Sequence, residues 1–133
     1  MAGVNAPTCE DYIQPTVTWQ VSGVDVSLSR IVDSNVVRVE VAEHYPPALT
    51  VRKIVILDKS DRLFQFFIAW CGASRNVEQI CSVKLSEDAY NALTGILESI
   101  DAEHAFKLIA LARSLCTCSM GECEKALKNY SKA

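Results

Sequence analysis

Six cysteines are the residues in this chain whose type and spacing most readily suggest chemistry, and three of them crowd into eight positions: Cys116, Cys118 and Cys123. Three thiolates so close together would suit zinc, with a fourth ligand drawn from Cys9, Cys71, Cys81 or His104. The spacing is Cys-x-Cys-x4-Cys, however, not the paired Cys-x2-Cys of strong zinc motifs. Helical periodicity gives a plainer reading: Cys116 completes one apolar stripe and Cys123 starts the next, so both are expected as small core residues. That reading is preferred to a metal centre, and to redox or disulfide roles. No cofactor is expected, and the three cysteines stay only as candidate metal ligands.

Other catalytic chemistry has little to build on. There are two histidines, His44 at a strand end and His104 in the first turn of a helix. Neither is accompanied by the nucleophile and orienting group that covalent catalysis needs. Nucleophile-elbow, phosphate-loop, dinucleotide-binding, zinc-protease and EF-hand motifs are missing from the sequence. The expectation is therefore a protein that is not an enzyme. Arg38, His44, Tyr45, Arg52 and Lys53 are the candidate binding residues, with Arg38, Arg52 and Lys53 able to line one sheet face. Thirteen basic against sixteen acidic residues gives a net charge of −3, which argues mildly against a dedicated nucleic-acid binder.

The elements that would position these groups follow from hydrophobic period. Residues 1–15, with Pro7 and Pro15 and no periodicity, read as a flexible N-terminal arm. Residues 16–133 read as a single domain, strand-rich over 16–85 and helical over 86–133. Alternation predicts strands from Val17, from Val24 and through Val37, Val39 and Val41, with Gly23 and Asp33-Ser34-Asn35 as turns. Pro46-Pro47 predicts a corner. Strands follow at Val51–Leu57, Leu63–Trp70 and around Ile80–Leu85, with Gly72–Asn76 as a loop.

The period then becomes 3.6. Ser86 is the expected cap of a first helix, Asp101 of a second, and Ser119 with Glu122 forms the capping box of a third. The fold class is thus α+β: an antiparallel meander of about six strands followed by two to three C-terminal helices. A meander closed by a helix, as in pleckstrin-homology-like domains, is an equally acceptable description.

Two segments carry a resemblance. Val26-Ser27-Leu28 through Val36–Tyr45 resembles the paired strands, ending in charged and aromatic residues, of the transcriptional positive cofactor four family, which is related in shape to the Whirly proteins. Val83–Leu93 is similar to that family's last strand and helix. The resemblance implies a single-stranded-DNA-binding fold. This chain departs from it in having Asp33-Ser34-Asn35 where the family keeps basic and aromatic residues, and Ala42-Glu43 where it keeps a basic one.

With no catalytic motif and three amphipathic helices, the leading expectation is an interaction module, self-associating as a homodimer and binding a protein partner. Single-stranded nucleic-acid binding is the alternative. No stretch reaches the roughly 18 apolar residues of a membrane-spanning helix, and Met1 to Pro7 lacks a signal-peptide pattern. A cytoplasmic or nuclear setting with reduced cysteines is the corresponding expectation.

Overall fold

In a computed structural model, which describes residues 6–11 and 13–132, six strands form one antiparallel sheet in the order of the chain. They are β1 (Val17–Val21), β2 (Val24–Val32), β3 (Val36–Tyr45), β4 (Leu49–Asp58), β5 (Leu63–Cys71) and β6 (Arg75–Lys84). The turns follow from local chemistry. Ser22 and Gly23 both have positive φ (50° and 81°), the geometry of the two-residue turn whose twist matches paired strands. Asp33 Oδ1 accepts from the backbone N–H groups of Asn35 (2.7 Å) and Val36 (2.9 Å), and Asp58 Oδ1 does the same for Ser60 and Asp61. Pro46-Pro47 makes a hairpin turn with a cis peptide bond rather than a corner, and β3 and β4 pair along their whole length.

Three helices follow: α1 (Glu87–Ser99), α2 (Ala105–Leu115) and α3 (Met120–Lys132), with a short 3-10 turn at Ala102–His104 before α2. The starts of α1 and α3 are capped as the sequence predicts. Ser86 Oγ accepts from Ala89 N–H, whereas Asp101 Oδ1, accepting from His104 N–H, caps the 3-10 turn rather than α2, whose own N-cap His104 makes no side-chain cap bond. Ser119 and Glu122 exchange the reciprocal bonds of a capping box. Ser86 Oγ also donates to Glu124 at 2.5 Å, tying the start of α1 to α3.

The helices cover one sheet face. Val39, Val41, Val55, Leu57, Phe64 and Phe66 point at Leu93, Leu97, Leu108, Leu115 and Leu127, all buried in a single core. At about 25 cal/mol per Å2 of apolar surface removed from water, this layer dominates the stabilisation of the fold. The opposite face holds a smaller buried cluster of Ile54, Ile56, Phe67 and Ala69, which explains why β5 is apolar on both sides.

Three expectations need correction. First, β6 starts at Arg75, so the predicted loop ends early; a register shift between Phe66 and Phe67 accommodates the longer pairing. Second, the cysteines are not free thiols. Cys9–Cys71, Cys81–Cys116 and Cys118–Cys123 are disulfides, and no described cysteine remains free. The expectation of reduced cysteines does not hold. Third, the described part of the N-terminal arm is tied down: Cys9 is bonded to Cys71, Pro7 is buried, and Thr8 O accepts from Arg52 at 2.7 Å. The rest of that predicted arm, residues 1–5 and 12, lies outside the described residues, as does Ala133.

Candidate functional site

Strand register decides which predicted site residues can meet. Arg38, Glu40, Ala42 and His44 alternate along β3 on the face away from the helices, and Arg52 joins them because it pairs with Ala42. Lys53 pairs with Val41 and so lies on the other face, where its Nζ meets Glu43 at 3.2 Å. Tyr45 follows the same parity, and its hydroxyl donates to Glu43 at 3.1 Å, which raises the tyrosine pKa above its ordinary value. The five candidates are therefore split, three against two. Arg38, Arg52 and Lys53 do not line one face.

On the helix-free face, the two arginines are locked into a charge network. Arg52 donates to Glu40 through Nε (2.9 Å) and Nη2 (2.7 Å), and through Nη2 to Asp11 (2.8 Å). Arg38 donates to Asp11 at 3.0 Å and approaches Glu40 at 3.4 Å. Burial disfavours the charged form of Arg52, but the carboxylates of Glu40 and Asp11 more than offset it and raise its pKa. Asp11 responds in the same way with opposite sign: burial pushes its carboxyl up, while hydrogen bonds from Arg38 and Arg52 hold it below its usual value. Two cations and two carboxylates balance, so the network carries no net charge.

Beside the network is a cavity of about 260 Å3 between β2, β3, β4 and the arm. Ser27, Ser29, Glu40, His44, Thr50 and Arg52 line it, and Cys9 and Ile13 of the arm close one side. His44 bridges two hydroxyls, with Nε2 3.2 Å from Ser27 Oγ and Nδ1 3.3 Å from Thr50 Oγ1. Both ring nitrogens are thus engaged by hydroxyls.

The cysteine candidates are not assembled for a metal. Cys118 and Cys123 are bonded to each other and Cys116 to Cys81, and a disulfide sulfur is not a thiolate ligand. Among the described residues, the only close group of metal-ligand types is Asp101, Glu103 and His104, which is largely solvent-facing; capping of the 3-10 turn accounts for Asp101 and His104.

Sequence reasoning missed Asp11, Ser27, Ser29 and Thr50. Ser27 and Ser29 alternate with Val26 and Leu28 and read as a solvated strand face; their burial depends on the arm, which has no periodic signal. The two segments that carried the family resemblance fall in the β2–β3 hairpin and in the end of β6 with α1, with β4 and β5 between them. No protein family, no curated protein and no solved structure matches the chain.

Proposed function

We propose that the protein is a non-enzymatic interaction module that acts as a homodimer, two copies pairing through their β1 edges. The observation that carries this reading is the character of that edge. β1 is outermost in the sheet, its sequence Val-Thr-Trp-Gln-Val has no charged residue, and Val17 (37 %) and Val21 (41 %) are exposed. Phe106 of α2, also 40 % exposed, stands edge-on to Trp19 with ring centroids 6.4 Å apart and extends the apolar strip. Natural edge strands are ordinarily guarded by charge. The other edge, β6, has that protection in Arg75, Glu78 and Lys84. The helix stripes that first suggested self-association are buried within the chain, so the self-pairing surface is assigned to β1 instead.

Self-pairing suits this strand. A two-fold axis sets each residue against its symmetry mate, so a charge-free strand meets no like charge. An axis at Trp19 sets Val17 of each copy opposite Val21 of the other, and Thr18 opposite Gln20. The two-residue turn at Ser22-Gly23 closes on the Val21–Val24 pair, so alternation directs the main-chain groups of Thr18 and Gln20 outward, ready to bond across the axis. The nucleic-acid alternative draws no support from the cations, because Arg38, Arg52 and Lys53 each face a carboxylate at 3.2 Å or less.

Sedimentation equilibrium tests the reading. The wild-type chain should sediment at twice 14.6 kDa. Thr18 and Gln20 are exposed, so the Thr18→Lys/Gln20→Lys variant should fold normally yet sediment as a monomer, because lysines would then face each other across the axis. Wild-type protein that stays at 14.6 kDa up to high micromolar concentration would refute the dimer.

A further inference from the structure

We infer that the cavity under the N-terminal arm is a binding site for a small, uncharged, polyhydroxylated molecule. Burying polar groups is costly, and proteins do it sparingly. Among the described residues five polar or charged ones are buried, namely Ser27, Ser29, Glu40, Arg52 and Gln65, and all except Gln65 line this one cavity. Such convergence is not needed to stabilise a sheet face, whose neighbouring positions Ile54, Ile56, Phe67 and Ala69 are apolar.

The lining selects the ligand. Ser29 is 2 % exposed and lines the cavity, so its hydroxyl is within reach of whatever fills the space. Ser27 and Thr50 each spend one contact on His44 and keep further hydroxyl capacity. The ionic groups have none to spare: Glu40 is held by both arginines, and Arg52 by Glu40, Asp11 and Thr8 O. A charged ligand would find no unpaired countercharge, whereas a molecule with several hydroxyls would meet donors and acceptors of its own kind. The volume is that of roughly nine waters at about 30 Å3 each, enough for a pentitol or a single sugar ring. The way in is at the Ser27–His44 end, where an open groove of about 570 Å3 shares both residues and adds Thr18, Gln20 and Asp25.

The test is a titration of the oxidised, full-length protein followed by amide chemical shifts, with xylitol and methyl glucoside as probes and glutamate as the charged control. Saturable shifts confined to Ser27, Ser29, His44 and Thr50 with a neutral probe, and none with glutamate, are expected. Ser29→Ala should weaken the apparent affinity about tenfold, as loss of one buried hydrogen bond does. Absence of saturation with both neutral probes, preference for glutamate, or unchanged affinity in Ser29→Ala would each overturn the site and leave a water-filled cavity. If Ser29→Ala does not fold, the wild-type titrations and the same comparison with Thr50→Val decide.

Discussion

Replacing Glu40 by Gln tests whether the helix-free face is held by its charge network. Glu40 and Arg52 are both 5 % exposed and are joined by two hydrogen bonds of 2.9 and 2.7 Å. Removing one member of a buried pair costs about 3–5 kcal/mol, because it leaves the other charge uncompensated. Here Asp11 stays 2.8 Å from Arg52 and 3.0 Å from Arg38, so some compensation survives. The expected loss is therefore at the lower end, about 3 kcal/mol. Replacing both members, Glu40→Leu with Arg52→Met, leaves Arg38 and Asp11 as a balanced pair. That double variant should come within about 1 kcal/mol of wild type, since buried pairs trade evenly against apolar residues of similar volume. Urea unfolding at pH 7, with slopes held to the wild-type value, measures each arm of the cycle. A Glu40→Gln variant within about 1 kcal/mol of wild type, or simple additivity in the cycle, would show that the network contributes little.

Two further outcomes follow from the arm and its attachments. Closing loops with sequence separations of 62, 35 and 5 should stabilise by about 4, just under 4 and about 2 kcal/mol for Cys9–Cys71, Cys81–Cys116 and Cys118–Cys123, so paired Cys→Ser variants should rank in that order in urea. Alkylation of any cysteine in unreduced native protein would contradict the pairing. Because the folded pKa of Asp11 lies below 3.8, its contribution is complete above that pH and is lost as pH falls through the lower folded value. The stability gap between wild type and Asp11→Asn should therefore be constant from pH 5 to 7 and shrink only below about pH 3.8.

What the sequence made legible was whatever is decided within a few residues. The turn at Gly23, the Asp33 turn, the Ser86 cap and the Ser119–Glu122 box are local problems with local solutions, and each is found where its residues predict. The first half of β6 escaped because an edge strand exposed on both faces, with Asn76, Glu78 and Gln79, has no alternation to read. The cysteines misled for a related reason. Core packing and disulfide bonding both suit Cys116 at the end of the inner stripe of α2, so helical period could not separate them; the choice depends on Cys81, 35 residues away on another element. The same limit splits the candidate site. Arg52 and Lys53 are neighbours in sequence, and only the β3–β4 register sends one to the charge network and the other to Glu43. Alternation says which side chains share a face, but it cannot say which face will be covered. On this sheet the second cover is a segment without period, fixed by one disulfide and by the carbonyl and carboxylate that Arg52 and Arg38 reach. The polar cavity exists only because that segment turns a solvated row of Ser27 and Ser29 into an interior.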